Sequence, residues 1–298
     1  MSTDKPVTHH TLPKVNIVFQ VTQINNMRGS RISTVDKSIP LIDQLMLAIK
    51  SIRLNWKSFD YSMYVFHNKS HSFCEEVVDK LEQLSVNLVP CEPDHPKQPH
   101  LCRCAALTTN IDNGATHRLI LDSDIVALKE PEFNFASDWQ AMFTHCPLSY
   151  KEADNINSMY NFNLDLSRYN QSMNFERYVQ YGFKHDLFPH FNAGCILIRE
   201  TLCNKYVGLY KEAYNIAFDK RFSNLGRHIG IQYACSFALI KLSSQWTPLP
   251  LGTNHLIKLH NKSGLKKSDV CLLHYAGTGG WELAIREFPE IKTLTLIT

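Results

Sequence analysis

Residues 117–128 read HRLILDSDIVAL, and this stretch decides the fold. Leu119, Ile120 and Leu121 make a short, continuous apolar run of the kind found in a strand buried on both faces. Asp122 and Asp124 follow at once, with only Ser123 between them. A buried strand that ends in two carboxylates needs something to offset their desolvation. A hard divalent cation does so, and Mg²⁺ or Mn²⁺ takes carboxylate oxygens together with substrate phosphates. A solvated turn with an Asp cap is the plain alternative for the same letters.

Upstream, VNIVFQVTQ (15–23) predicts a buried first strand. LIDQLMLAIKSIRLNW (41–56) repeats its apolar residues at three- and four-residue spacing and predicts a helix on a sheet. YSMYVFHN (61–68) is a second strand. SFCEEVVDKLEQLSV (72–86) is a second amphipathic helix, which Ser72 and Glu75 open as a capping box. NLVPCEP (87–93) is a third strand ended by prolines, LCRCAALTTNI (101–111) a third helix, and 117–128 the fourth strand. Regular alternation of strand and helix predicts an α/β fold: a doubly wound, Rossmann-like, mainly parallel central sheet flanked by helices. Such sheets bind ligands at the carboxyl ends of their strands, where Asp122 and Asp124 stand.

Downstream the pattern loosens. WQAMFTHC (139–146) is a strand candidate, and residues 149–189 are polar and rich in Asn and Tyr. FNAGCILI (191–198) reads as a buried strand, TLCNKYVGLYKEAYNIAFD (201–219) and GIQYACSFALIKL (230–242) as helices. DVCLLHYAG (269–277) is a last strand before a glycine-rich TGGW. There is no internal repeat and no low-complexity linker. One domain over 14–298 is expected, with a nucleotide-binding half of about 14–128 and an acceptor-side half of about 129–298. The polar residues 1–13 are expected to be a flexible N-terminus.

The 298 residues are 44% hydrophobic and 20% charged, an ordinary globular composition that excludes a disordered chain. The formal charge of +3 is too small to imply a nucleic-acid partner. No stretch reaches the ~18 consecutive apolar residues of a membrane span, and MSTDKPVTHHTLPK has no apolar signal core. No transmembrane anchor and a cytoplasmic location are therefore expected. The nine cysteines are odd in number and sit mostly in apolar runs, as Cys195 and Cys271 do, which reads as free thiols in a reducing compartment. Cys102 and Cys104, with His95 and His100 upstream, fit no common zinc spacing.

LILDSDIVAL resembles the acidic segment of GT-A glycosyltransferases, and most of all of glycosyltransferase family 8, which includes glycogenin and bacterial lipopolysaccharide galactosyltransferases. FNAGCILI is similar to that family's FNxG strand, and His274-Tyr-Ala-Gly277 to its HxxG segment. The resemblance runs over roughly residues 15–281. It implies a GT-A type fold in which Asp122, Asp124 and the later His274 hold Mn²⁺ or Mg²⁺ against a nucleotide diphosphate, UDP above GDP, with Ser123 among the contacts of the donor. The metal would act as a Lewis acid on the departing nucleotide. Asn192, with the backbone of Ala193 and Gly194, would lie beside the transferring sugar, and Arg103 would reach the donor from the preceding helix. Gln232 would sit near the reacting carbon. Thr22, Gln23 and Asn25, with Arg28 and Arg31, would meet the base, ribose or phosphate. Gly277 and Gly279 would let backbone N–H groups approach phosphate oxygens.

The chain also departs from the pattern. The family continues HxxGxxKPW, whereas here the lysine and proline are missing and Trp281 comes one residue early. Lys262, Lys266 and Lys267 are candidates for the missing charge. Ile231 replaces the acid that precedes the family's glutamine. The resemblance implies retention of anomeric configuration; an inverting route would need a base such as Asp154, Asp165 or Asp186. The aromatic-rich middle (Tyr150, Tyr160, Phe162, Tyr169, Phe175, Tyr178, Tyr181, Phe183) offers stacking faces for an acceptor or ordinary packing. The expected function is transfer of a sugar from a UDP-sugar to a glycan, protein or lipid acceptor. The alternatives are a non-catalytic nucleotide-sugar-binding protein and a sugar-1-phosphate nucleotidyltransferase.

Overall fold

The computed structural model describes residues 12–21, 41–70, 73–94, 102–143, 148–149, 187–188, 190–217, 227–243, 245–250, 252–277 and 279–295. Strands β1 (Lys14–Val21), β2 (Asp60–Asn68), β3 (Val86–Cys91) and β4 (His117–Leu121) alternate with helices α1 (Leu41–Asn55), α2 (Glu75–Gln83) and α3 (Arg103–Thr108). Short β5 (Ile125–Ala127), β6 (Trp139–Phe143), β7 (Leu148–Ser149), β8 (Leu187–Phe188) and β9 (Phe191–Arg199) follow. Then come α4 (Cys203–Ala217), α5 (Arg227–Leu242), β10 (Trp246–Pro248), β11 (His255–Leu256), α6 (His260–Ser263), β12 (Leu272–His274), α7 (Gly280–Glu287) and α8 (Ile291–Thr295).

The central sheet has the order β10-β6-β9-β4-β1-β2-β3. β1 is parallel to both β2 and β4, β2 to β3 and β10 to β6; β9 alone runs antiparallel to its neighbours β4 and β6. Strand order reverses between β1 and β4, which makes the crevice beyond their carboxyl ends the topological switch point of the sheet.

Both faces of the sheet are covered, which is why β4 is buried throughout. On one face the inward side of α1 (Leu45, Ala48, Ile49, Ile52) packs with Ile17, Phe19, Leu119 and Leu121. Fully burying each such aliphatic side chain is worth about 1.5–3 kcal/mol. On the other face α3, α4 and α5 pack against Val18, Phe66, Ile120 and Ile196.

The structure corrects several boundaries. The strand expected over 117–128 is two strands. β4 ends at Leu121 in the central sheet, and β5 belongs to a separate three-stranded sheet of order β11-β12-β5. Helix α1 sets that break: Ser51 Oγ accepts the Ala127 N–H at 2.9 Å, and Asn55 Nδ2 donates to the Ala127 carbonyl at 2.7 Å. The capping box is replaced by a different start. Helix α2 begins at Glu75 after Cys74, with no side-chain cap, and Glu75 and Glu76 instead complement the positive end of the helix. Pro90 does not end β3 but lies inside it, opposite His67. An edge strand tolerates it, because the missing N–H has no second neighbour to serve. The last strand shrinks from 269–277 to Leu272–His274, because Lys267–Asp269 is a 3₁₀ turn and Gly277 has a left-handed φ of 84°. The segment between β7 and β8, with Asp154, Asp165, Asp186 and the aromatic cluster, lies outside the described residues.

Candidate active site

The two aspartates occupy the step from one sheet to the other. Asp122 is still tied to the central sheet, its N–H donating to the Gly194 carbonyl at 2.8 Å. Asp124 belongs to the small sheet, its carbonyl accepting the Tyr275 N–H at 3.1 Å. β12 pairs antiparallel with β5 so that His274 lies opposite Ile125. That register brings an imidazole from far along the chain against the carboxylates: His274 Nε2 is 3.0 Å from Asp124 Oδ1 and 4.0 Å from Asp122 Oδ2. One ligand atom from each of Asp122, Asp124 and His274 lies within 4.8 Å of the others. Ser123, between the acids, is buried.

The His274 side chain is 5% exposed, whereas that of Asp122 is 43% exposed, so the cluster has a dry back and a wet front. Burial opposes charging of His274, but Asp124 and then Asp122 outweigh it and raise its pKa. Asp122 is reached by water yet sits deep in the crevice. Loss of hydration and the Asp124 charge hold its pKa up, while His274 and Arg103 pull it back. A site that raises a carboxyl pKa in this way is short of positive charge. Two carboxylates and one imidazole nitrogen suit a small divalent ion. Nε2 can serve as a ligand only when it carries no proton. Nδ1 is buried and has no hydrogen-bond partner among the described residues.

The segment Asn192–Gly194 lines the same crevice from β9. Within β9, Asn192 Oδ1 accepts the Gly194 N–H at 2.7 Å. A Cβ on Gly194 would meet Asp122 Oδ2 at 2.2 Å, so only glycine leaves the carboxylate its place. Arg103, at the start of α3, is 2% exposed and donates from Nη2 to the Ala193 carbonyl at 2.8 Å. Burial lowers its pKa, but Tyr206, Cys235, Tyr210 and Asp122 more than reverse this and raise it. Asp94 places that helix by accepting the N–H groups of Arg103 and Cys104 at 3.1 and 2.9 Å.

Gln232 is held one step behind Asn192. Ser236 Oγ donates to the Gln232 carbonyl and accepts the Phe191 N–H, both at 2.8 Å, and Tyr233 stacks on His190 at 4.7 Å. The glycine turn closes the other side. Gly277 and Gly279 have left-handed φ values of 84° and 76°, and the Gly280 N–H donates to the Gly277 carbonyl at 3.0 Å. A Cβ at Gly280 would fall 1.9 Å from the Tyr275 carbonyl oxygen, so the family's lysine position is closed here to any side chain. Lys267 does not substitute for that lysine. Its Nζ bonds the Glu287 carbonyl and lies over the Phe288 ring, at the far end of α7. Thr22, Gln23, Asn25, Arg28 and Arg31 lie outside the described residues, as does the side chain of Lys262.

Sequence reading missed two groups at this site. Ser236 belongs to no motif, and Gln20 is one polar residue inside the apolar VNIVFQVTQ strand. Strand alternation alone places Gln20 on the α3 side, and that was the signal to follow.

No protein-family model matches the sequence. The search of curated proteins finds no relative. Solved structures do match. One is galactosyltransferase LgtC in complex with donor and acceptor sugar analogues, with a TM-score of 0.51 and 13% identity over 94% of this chain and 95% of that one. Another is an active-site mutant of LgtC, with a TM-score of 0.52 and 12% identity over 93% of this chain and 95% of that one. At such identities the likeness is one of fold. The chain has the GT-A fold of glycosyltransferases, with its mainly parallel sheet and flanking helices, as the family resemblance implied. No helix among the described residues is long and apolar enough to cross a membrane.

Proposed function

We propose that this chain is a glycosyltransferase that moves a sugar from a nucleotide-diphosphate donor, UDP-sugar above GDP-sugar, to a hydroxyl of a glycan, protein or lipid. One observation carries the reading: Asp122, Asp124 and His274 converge within 4.8 Å at the switch point of a GT-A fold. Mn²⁺ or Mg²⁺ held there would supply charge neutralisation for the leaving nucleotide diphosphate. Asp122, Asp124 and His274 would hold it. Asn192 and the backbone of Ala193 and Gly194 orient the donor from beneath, and Arg103 adds a fixed positive charge. Gln232 stands behind them, towards the reacting carbon. Gly277 and Gly279 open the backbone of the last turn towards phosphate, where no lysine is present. Positioning and charge stabilisation supply most of the rate in such a scheme. Thr22, Gln23 and Arg28 belong to the same proposal as contacts of the nucleotide. Retention of anomeric configuration rests on the family resemblance, and NMR of the product's anomeric proton tests it. The cytoplasmic location is part of this reading, supported by the described cysteines, all of which are free.

The test is nucleotide release from a panel of UDP- and GDP-sugars, with and without Mn²⁺, beside Asp122→Ala and Asp124→Ala. Slow metal-dependent hydrolysis of one donor, lost in both variants, is expected. Metal-dependent binding without turnover would favour a nucleotide-sugar-binding protein, which the absent lysine and Ile231 make the second reading. Release of pyrophosphate would favour a nucleotidyltransferase and overturn both.

A further inference from the structure

The switch-point crevice contains a second set of polar groups, separate from the metal cluster. On β1, Ile17, Phe19 and Val21 face the α1 side, and Val18 packs with Ile120 and Phe66 on the α3 side. Alternation puts Gln20 on the α3 side as well. Its partner on β2 is Phe66, and because Phe19 pairs with Leu121 on β4, Gln20 stands abreast of Asp122. Helix α3, which carries Arg103, packs over β1 on this side.

Among the described residues, Gln20 Oε1 is buried there with no hydrogen-bond partner. Arg103 Nε and Nη1 are in the same condition; among the described residues only Nη2 is engaged, on Ala193. The Tyr210 hydroxyl, whose ring lies 6.0 Å from the guanidinium, is also buried and without a hydrogen-bond partner among the described residues. Buried polar atoms are rarely left unpaired, so unpaired ones on packed elements beside a candidate metal site point to a ligand. The donor and acceptor types define the ligand. Gln20 Oε1 only accepts; Arg103 Nε–H and Nη1–H only donate. A phosphate or carboxylate would satisfy Arg103 and repel the Gln20 carbonyl. A hydroxyl both donates and accepts, and adjacent hydroxyls do so at the spacing of a sugar ring.

We propose that Gln20 is a specificity-determining residue that accepts a hydrogen bond from a sugar hydroxyl of the donor, with Arg103 donating to that hydroxyl or its neighbour. This rests on the glycosyl-transfer reading and adds to it the side chain that reads the donor. The hydroxyl belongs either to the transferred sugar or to the ribose of the nucleotide, and the arms of the experiment separate the two.

The experiment is calorimetry with saturating Mn²⁺, using UDP, 2′-deoxy-UDP, UDP-glucose, UDP-galactose and UDP-xylose on wild type, Gln20→Leu and Gln20→Met. The two variants keep the length and bulk of the side chain and remove only its polar atoms, and either suffices if the other fails to fold. The preferred UDP-sugar is expected to bind the variants about 5–150-fold more weakly. An unchanged affinity for UDP then assigns the hydroxyl to the transferred sugar. An equal loss for UDP that is absent for 2′-deoxy-UDP assigns it to the ribose. Binding of every ligand within twofold of wild type overturns the role of Gln20 and leaves the parent reading intact. Failure of the wild type to bind any of the five overturns the proposal together with the UDP-sugar reading on which it rests.

Discussion

The Asp122 carboxylate occupies the space that a side chain on residue 194 would take: a Cβ there would lie 2.2 Å from Oδ2 and 2.7 Å from Cγ. The two residues are also joined through the backbone, Asp122 N–H to Gly194 carbonyl. The position of one candidate metal ligand is thus set by the absence of atoms on a neighbouring strand.

Gly194→Ala tests that dependence. The added methyl must push the carboxylate aside by about an ångström, and misplacement on that scale lowers turnover roughly 100-fold. Metal-dependent donor hydrolysis is expected to fall by that order while the far-ultraviolet dichroism keeps its shape. Wild-type activity in Gly194→Ala would show that Asp122 does not need its present position.

Ser236 supports the strand next to the site. Its hydroxyl serves both the Phe191 N–H and the Gln232 carbonyl, and it is fully buried. Ser236→Ala leaves the Phe191 N–H without that partner and should cost about 1–3 kcal/mol. Ser236→Thr keeps the hydroxyl and should recover part of the loss. Urea midpoints of the three proteins decide it, and an Ala variant as stable as wild type would dismiss the bridge.

Arg118 is a fully buried cation in β4. It bonds Glu200 from Nε at 2.8 Å and from Nη2 at 2.5 Å, and the carbonyls of Ala106 and Thr109 at 2.7 and 2.6 Å. One side chain therefore ties β4, the end of α3 and the start of the segment leading into α4. Arg118→Met should destabilise the protein by about 3–5 kcal/mol, because it leaves Glu200 without its partner. The double variant Arg118→Met/Glu200→Met should be more stable than the single one. Equal or lower stability of the double variant would argue against an uncompensated charge as the cause.

Acid should destabilise the fold over a defined window. Burial lowers the pKa of His117 and of His255 to about 4, from an ordinary 6.5. Between these values the unfolded chain binds more protons than the folded one, so stability falls as the pH drops from 6.5 to 4 and levels off on either side. The slope is up to about 1.4 kcal/mol per pH unit for each group. His255 adds a second penalty, since its 3.0 Å bond to His260 needs one ring nitrogen to accept. Denaturant midpoints at pH 7 and pH 4.5 measure the fall. His117→Gln/His255→Gln should flatten most of it, and a slope unchanged in that variant would assign the effect to other groups.

Periodic segments were legible in the sequence because they have strong, single-period patterns. VNIVF, the α1 stretch and the apolar run before Asp122 each fall where their pattern put them, and the alternation gave the sheet. The order of letters did not show that 117–128 feeds two sheets. That break is made by Ser51 and Asn55 on α1, both distant in the chain. The strand at 269–277 was read too long because Asp269 and Gly277 flank the true β12 with turn geometry that its apolar centre hides. The candidate ligands were readable because acids after a buried strand are chemically conspicuous. Gln20 and Arg118 were not, since their meaning comes from what surrounds them, and that is a property of packing.

The distance along the chain between Asp124 and His274 is 150 residues, and β12 docks on β5 to bring them together. At ordinary rates of synthesis, roughly 8–30 s separate the appearance of the acids from that of the histidine. During this interval the acidic pair has neither the imidazole nor the strand that carries it. The cluster is therefore completed late in synthesis, after every strand of the central sheet and before α7 and α8. A nascent chain thus carries every strand of the central sheet before it carries all three candidate ligands, and the Asp122–Asp124–His274 cluster cannot assemble while those strands are being made.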